Sequence, residues 1–270
     1  LMNHRKAHLL AYQNEALVAR FEALVQRSVD VEAKLRVLAK LSPASPLDAL
    51  DSIDTRPLAA AVARYFSKLL AYKDEYEVAR LHADPLFAAK LNEQFEGDFQ
   101  LRFHLAPPLF AKRDQQGRLL KAEYGPWMMK AFGLLQHLKC LRGTAFDVFG
   151  RSDERRKERA WIERYEASLQ SAFQKLEASL DDLVSRSRLT EAYQALVVLA
   201  QVPEHIRGFG HVKERHFEDA QRRWQQASDR FAKAFEAEPS SSQHSEIGAL
   251  HRQAKAQVVE IRRTKTSEQA

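Results

Sequence analysis

Apolar residues recur at helical spacing between Leu58 and Asp84, the most regular stretch of the chain. The recurring positions, four and three residues apart in turn, are Leu58, Val62, Tyr65, Leu69, Tyr72, Tyr76 and Ala79. This spacing places the side chains on one face and predicts a single α-helix over 58–84. In its second half the tyrosines lie among charges, and Lys73 and Glu77 are one turn apart, where they can pair. The mixture is typical of a helix that docks on a second element or a second domain.

The same period predicts helices in most of the remaining chain. They cover 10–41, 84–95, 127–141, 154–180, 190–200 and 211–235. Pro57 suits the first turn of the 58–84 helix, and Asp54 or Thr55 suits its cap. The predicted buried side of the 127–141 helix consists of Trp127, Met128, Ala131, Leu134, Leu135 and Leu138. The core faces of the 154–180 and 211–235 helices consist of Trp161, Tyr165, Leu169, Phe173, Leu176 and Leu180, and of Phe217, Ala220, Trp224, Ala227 and Phe231.

One segment changes from the helical to the alternating period. Phe99, Leu101 and Phe103 alternate with polar residues, which predicts a half-buried strand. A polar turn at 114–117 and a return strand over 118–124 complete a β-hairpin near 99–124, the only sheet predicted. The sequence thus predicts a mainly α, bundle-like domain over 1–236 with one hairpin insertion. A linker and a weakly helical basic tail are predicted over 237–270.

Composition narrows the class of protein. With 45% hydrophobic and 29% charged residues in 270, the chain has the composition of a folded globular protein. No apolar run approaches the ~20 residues of a transmembrane helix, and the first residues lack the apolar core of a signal peptide. Cys140 is the one cysteine, which excludes an internal disulfide, and it is predicted to be buried and inert. These features predict a soluble cytoplasmic protein without a membrane partner.

The charge pattern does not favour nucleic-acid binding. The net charge is +6, but acids and bases alternate along 151–166. Alternation of this kind predicts a solvated helix face, whereas nucleic-acid binding needs a concentrated basic surface.

Histidines give two weak indications of a site. His4 and His8 have the spacing of metal ligands on a helix, but no third ligand is near, so a solvated face is favoured. His205, His211 and His216 flank one turn, where capping and surface polarity are favoured over contact with an anion.

Further candidate residues lie in two charged segments. The turn GFGHVK, 208–213, has free N–H groups at a helix start, and with Arg207 and Lys213 it could contact a phosphate or a carboxylate. Lys73, Asp74, Glu75 and Arg80 are candidate acid/base residues, although mixed charges on a helix are usually structural. No catalytic triad, metal-ligand set or cofactor loop is present in the sequence.

Five segments together are similar to one known family. They are ARYFSKLLAYKDEYEVARLHADPLF (63–87), FHLAPPLFAKRDQQGRLLKAEYGPWMMKAF (103–132), LRGTAFDVFG (141–150), ERRKERAWIERYE (154–166) and PEHIRGFGHVKERH (203–216). In this order they resemble the C-terminal region of the long, fused bacterial indolepyruvate ferredoxin oxidoreductases, over roughly residues 10–235. The most specific single motif is YKDEYEVARL, 72–81.

The resemblance implies a parent enzyme that oxidatively decarboxylates aryl 2-oxoacids to acyl-CoA and reduces ferredoxin. That family uses thiamine diphosphate with Mg²⁺ and iron–sulfur clusters, and coenzyme A is a substrate. These cofactors belong to upstream modules. The present sequence lacks the thiamine-binding G-D-G…N pattern and the cluster cysteines, so no catalytic residue carries over to it. Its helical start suits a fragment or a split-off subunit of the long chain.

The leading hypothesis is therefore a non-catalytic C-terminal helical domain that packs against the catalytic modules and supports their assembly. Candidate ligand or interface residues are Tyr72, Lys73, Tyr76, Arg80, Arg207, His211 and Lys213. Two alternatives stay open: a free-standing basic helical module that binds an acidic protein or RNA, and an independent small-molecule enzyme. The lack of a recognisable catalytic motif argues against the second alternative.

Overall fold

The computed structural model describes residues 1–40, 56–106, 115, 120–178, 186–208 and 210–236, with the backbone alone for 36–40, 186–187 and 210–211. Its elements in chain order are α1 (Met2–Tyr12), α2 (Glu15–Lys40), α3 (Pro57–Leu70), α4 (Glu75–Ala83), α5 (Pro85–Gln94), β1 (Phe103–Leu105), β2 (Ala122–Tyr124), α6 (Met128–Leu135), α7 (Asp153–Ala178), α8 (Arg186–Gln201) and α9 (Gly210–Glu236). Short 3₁₀ segments lie at Gln136–Leu141, Phe149–Arg151 and Val202–His205. The predicted mainly α fold with one hairpin is confirmed for these ranges. None of their helices has the length and hydropathy needed to cross a bilayer.

Two of the predicted long helices are each divided in two. The 58–84 prediction is wrong because α3 ends at Leu70 and α4 begins at Glu75. Asp74, with extended backbone, caps α4 through its carboxylate, which accepts the N–H of Glu77 at 2.8 Å. The 10–41 prediction is wrong for a similar reason, since Asn14 Oδ1 accepts the N–H of Leu17 at 3.0 Å as α2 begins. A short polar side chain competes with the helix ladder at both breaks.

The chain divides into two compact units. The first comprises Leu1–Ala23, Ala63–Glu166 and Gly208–Glu214. The second comprises the described parts of Leu24–Val62, Ala167–Arg207 and Arg215–Ala270.

In the second unit, the carboxylate of Glu32 on α2 caps the start of α3. Glu32 is 3% exposed and accepts the N–H groups of Leu58 at 2.9 Å and Ala59 at 3.1 Å. These N–H groups have no partner within their own helix, so a carboxylate satisfies both their hydrogen bonds and the positive end of the helix dipole. Tyr193 donates its hydroxyl to the same carboxylate at 2.6 Å. Pro57 opens α3 as predicted.

The predicted core faces of α7 and α9 are confirmed. The buried residues on them include Trp161, Tyr165, Leu169, Phe173 and Leu176, and Phe217, Ala220, Trp224, Ala227 and Phe231. Predictions that fall outside the described residues concern Asp54, Thr55, Leu180, most of the 114–117 turn, and the linker and tail over 237–270.

The hairpin belongs to the first unit and is shorter than predicted. Its antiparallel register pairs Phe103 with Tyr124 and Leu105 with Ala122. Phe99, predicted to lie on the buried face of the strand, precedes β1 and is 40% exposed.

A small apolar cluster connects the hairpin to α4 and α6. Its buried members are Ala79, Phe103, Met128 and Phe132. The ring of His82 stacks on Phe132 at 5.0 Å between centroids and meets the edge of Phe103 at 5.3 Å. Burial lowers the pKa of His82, so the neutral ring is favoured in this cluster.

The helix predicted over 127–141 is α6 followed by a 3₁₀ segment, and its predicted buried side is partly wrong. Trp127, Leu134 and Leu138 are 58%, 70% and 39% exposed. The sequence MMKAFGLL of α6 is apolar almost all round, so the pattern cannot indicate which side packs on the hairpin. Cys140 is exposed, and the prediction that it is buried is also wrong.

Candidate functional site

A buried polar network in the first unit is built on Asp74 and Arg142. Arg142 Nε donates to Asp74 Oδ2 at 2.6 Å, and Arg142 Nη2 donates to Asp74 Oδ1 at 2.9 Å. Both side chains are 4% exposed. The two-pronged geometry is the strong form of an arginine–carboxylate pair, and breaking a buried pair leaves an uncompensated charge. Asp74 therefore caps α4 and anchors Arg142 at once.

The same arginine closes the end of α1. Arg142 Nη1 donates to the carbonyl of Tyr12 at 2.7 Å, and its guanidinium carbon lies 3.7 Å from the centroid of the Tyr12 ring. Lys139 donates to the carbonyl of Ala11 at 2.7 Å. Two cations at the carboxyl end of a helix satisfy its free carbonyl groups and complement its dipole. The Tyr12 hydroxyl then donates to the carbonyl of Tyr72 at 3.0 Å, so α1 is tied to the segment before α4.

Asp147 organises a second buried corner of this site. Its carboxylate accepts the N–H groups of Gly143 at 2.8 Å and Gly150 at 2.9 Å, and the hydroxyl of Tyr76 lies 3.3 Å away. Burial and the neighbouring Asp147 raise the pKa of Tyr76 to about 12, so its hydroxyl remains a donor at neutral pH. A Cβ at Gly150 would lie 2.2 Å from the Asp147 carboxylate, which explains why a residue without a side chain occupies this position.

Glu77 is the third acid of the motif and is held by two bases. Arg80 donates to both of its oxygens at 2.8 and 2.7 Å, and His8 Nε2 lies 3.4 Å from Glu77 Oε1. Burial opposes the charged form, but the hydrogen bonds from Arg80 and His8 outweigh it and lower the pKa of Glu77 to about 2. In the structure Glu77 thus pairs with Arg80 and with His8.

A chain of charges connects Lys213 with the segment before α4. Lys213 Nζ contacts Glu158, whose other oxygen accepts a hydrogen bond from Arg155 at 2.6 Å. Arg155 lies 3.7 Å from Glu75 and 5.6 Å from the centroid of the Tyr72 ring. Burial raises the pKa of the Glu75 carboxyl, and the charge of Arg155 acts in the opposite direction.

The alternating charges of 151–166 are therefore not simply a solvated face. Arg155 and Glu158 are 9% and 5% exposed, while Arg156 and Lys157 are exposed as predicted. The prediction is wrong for the buried pair because alternation along a sequence does not show which helix face packs.

The predicted site residues are only partly brought together. Tyr72, Tyr76 and Arg80 take part in the network around Asp74, Asp147 and Glu77, as described above. Lys213 joins the charge chain of α7, and Lys73 is exposed on the segment before α4. For His211 only the backbone is described, in the first turn of α9.

Arg207 belongs to the second unit, whereas the other candidate residues belong to the first. It is exposed, and its Nη2 donates to the carboxylate of Glu204 at 3.1 Å. Its carbonyl lies 2.6 Å from Nδ1 of His216. Local pairing therefore engages both Arg207 and His216.

For His4 and His8 the sequence favoured a solvated face over a metal site. His8 contacts Glu77, and within the described ranges no group of three or more His, Cys, Asp or Glu residues could hold a metal ion. A shallow cavity of about 180 Å³ lies in the second unit, and its lining includes His205, Arg223 and Arg230.

The comparison with protein families gave a match over residues 1–226, most of the chain. The chain belongs to DUF6537, a family of unknown function. Neither the comparison with curated proteins nor that with solved structures found a match. The DUF6537 match includes every residue of the Asp74–Arg142 network and both members of the Lys213–Glu158 pair.

Sequence reasoning missed the partners that complete this network in the DUF6537 region. Arg142 is 68 positions from Asp74, and neither Tyr12 nor Asp147 has a local pattern that indicates its role. One signal was present: Asp74 and Glu77 have the D-x-x-E spacing of a capping box, which marks a helix start. Interpreted in this way, the motif would have predicted the break before α4.

Proposed function

We propose that this chain is a non-catalytic helical domain of a cytoplasmic indolepyruvate-type 2-oxoacid:ferredoxin oxidoreductase. Its role is to pack against the catalytic modules and support their assembly. Oxidative decarboxylation of aryl 2-oxoacids to acyl-CoA, and reduction of ferredoxin, are the work of those modules. They hold the thiamine diphosphate, Mg²⁺ and iron–sulfur clusters.

One observation carries the proposal: in the segment most similar to that enzyme, two acidic side chains form ion pairs within the domain. In YKDEYEVARL, Asp74 binds Arg142 and Glu77 binds Arg80 and His8. These carboxylates are almost fully buried, so a substrate could reach them only by breaking pairs that cost about 3–5 kcal/mol to break. This arrangement favours a structural role for the motif.

The decisive experiment combines binding with activity. The purified full chain is tested in a pull-down against the thiamine-dependent and cluster-bearing modules from the same organism. Indolepyruvate-dependent ferredoxin reduction by those modules is then measured with and without the chain. Binding together with a higher rate is expected. Modules that are fully active alone and do not bind the chain would contradict the proposal.

A single substitution tests whether the motif also contacts the modules or their substrate. Lys73 is exposed, so Lys73→Glu should reverse a charge without disturbing the buried pairs. We expect lower turnover of the assembled enzyme and an unchanged unfolding midpoint. Lys90→Glu, at an exposed position on α5, is the matched control. Equal turnover for the wild type and Lys73→Glu would remove Lys73 from the contact surface.

A further inference from the structure

Helix α6 has apolar side chains on its exposed side as well as on its buried side. Of the residues in its sequence MMKAFGLL, Lys130 alone carries a charge. Met128 and Phe132 are buried in the hairpin cluster. A helix that is apolar all round is normally buried all round. We therefore expect a partner to cover the exposed side of α6, which we call the bare side.

The bare side is a stripe of three large residues, which we name the α6 stripe: Trp127, Leu134 and Leu138. Trp127 and Leu134 are seven positions apart, two helical turns, and Leu138 follows one turn later. They are 58%, 70% and 39% exposed. A row of exposed apolar residues with a tryptophan at its end is typical of protein interfaces, where aromatic residues supply much of the binding free energy.

The charges within α6 and the 3₁₀ segment that follows it are of one sign. No Asp or Glu occurs from Tyr124 to Phe146, although the whole chain has 36 acids in 270 residues. Lys130 and His137 are the exposed basic residues within α6 and the 3₁₀ segment that follows, with Lys139 half-buried against α1. A second copy of this surface would bring cations against cations, whereas acidic side chains would complement them.

We propose that the α6 stripe is a docking surface for another protein whose contact face is apolar at its centre and acidic at its edge. The inference rests on the proposed function, in which this partner is one of the oxidoreductase modules. Trp127 and Leu134 supply the apolar contact, and Lys130 pairs with an acid of the partner.

Two leucines of nearly equal exposure provide the main test. Leu134 is 70% exposed on the stripe, and Leu86 is 69% exposed on α5. Leu134→Glu should weaken binding of the full chain to the purified modules about 10-fold or more, since it places a charge in the apolar contact. Leu86→Glu should leave binding unchanged. Equal weakening by both variants, or by neither, would overturn the proposal.

A charge comparison tests the acidic edge. Lys130→Glu should weaken binding and Lys130→Arg should preserve it, and Lys90→Glu serves as the control for added negative charge. Binding that is unchanged or tighter in Lys130→Glu would overturn the assignment of an acidic edge. The unfolding midpoint of each variant establishes that it folds.

The wild-type chain gives an independent measurement. Trp127 is exposed, whereas Trp161 and Trp224 are 8% and 2% exposed, so acrylamide quenching of tryptophan fluorescence reports mainly on Trp127. Modules that bind through the stripe should protect Trp127 from quenching. Binding without protection would overturn the inference and leave the proposed function standing, whereas no binding at all would overturn both.

An anionic lipid surface is the competing occupant, because apolar and basic groups together also suit a membrane interface. Vesicles of phosphatidylcholine and phosphatidylserine are the probe. No co-sedimentation of the chain is expected. Co-sedimentation that Leu134→Glu abolishes and Leu86→Glu does not would overturn the protein partner in favour of lipid.

Discussion

Asp74 combines two structural tasks that are usually given to different residues. Its carboxylate accepts the N–H of Glu77 as an N-cap and receives two hydrogen bonds from Arg142. Arg142 in turn reaches the carbonyl and the ring of Tyr12. One charge pair thus holds three segments of the first unit together, so its loss should destabilise all three.

Replacing Asp74 with asparagine separates the two tasks. Asparagine caps a helix about as well as aspartate, so Asp74→Asn keeps the cap and removes the charge. Arg142 is then buried without a counter-ion, and we expect a loss of about 3–5 kcal/mol in the free energy of unfolding, measured with urea. Asp219→Asn, at an exposed pair on α9, is the control and should cause little change.

The double variant Asp74→Asn/Arg142→Met checks this explanation. Methionine removes the unpaired charge, so the double variant should lose less stability than the sum of the two single variants. Additive losses would show that the pair is not the coupled unit described above.

The lowered pKa of Glu77 predicts that the free energy of unfolding depends on pH in acid solution. Its pKa falls from 4.5 to about 2 in the folded chain, so the unfolded chain binds the proton more readily. The stabilisation is therefore fully present above pH 4.5 and is lost as the pH falls through about 2. The difference in unfolding free energy between wild type and Glu77→Gln should shrink across this window. A difference that is constant with pH would contradict this account.

At the scale of elements, the start of α3 depends on a carboxylate from another helix. Glu32 on α2 accepts two N–H groups of α3 and the hydroxyl of Tyr193. Glu32→Ala leaves the buried N–H groups of Leu58 and Ala59 without this acceptor, at a cost of roughly 1–3 kcal/mol for each. We expect a large drop in the urea midpoint. Glu22→Ala, on the same helix at a partly exposed ion pair with Lys6, should cost less than about 1 kcal/mol. Equal effects would contradict the capping role.

Periodic elements could be predicted from the sequence, and their ends could not. The apolar faces of α7 and α9 follow the helical period over many turns, so burial was correctly assigned there. The breaks at Asn14 and Asp74 depend on single polar side chains, which a helical pattern spans without a visible gap. Short α6 has no polar face, so its exposed side could not be identified from its pattern.

The candidate site was predictable only where one short segment of the sequence contains it. Tyr72, Tyr76 and Arg80 were selected because charge and aromatic rings are dense in one segment. Arg142 and Asp147 come from distant positions, and each is fixed by a contact that only the folded chain creates. The segments that carry the resemblance include Asp74, Arg142 and Asp147, but the roles of these residues required the structure.

At the scale of the whole molecule, the net charge is +6, but many cations of the described residues are paired with nearby carboxylates. On α9, Arg222 and Arg223 both contact Asp219, and on α7 Lys157 contacts Glu214. A phosphate would have to compete with these carboxylates for the cations of the described surface. This arrangement favours the proposed assembly domain over a free-standing RNA-binding module.

Salt dependence distinguishes the two functions. Binding to single-stranded RNA releases counterions, and log K falls with log salt by about 0.7 for each phosphate contact. We expect filter binding of the full chain to be weak, with a shallow slope. The variant Arg222→Glu/Arg223→Glu should then behave as the wild type does, since these arginines are engaged by Asp219. Tight binding with a steep slope that this variant reduces would favour the RNA-binding module, because the arginines would then have exchanged their carboxylate for phosphate.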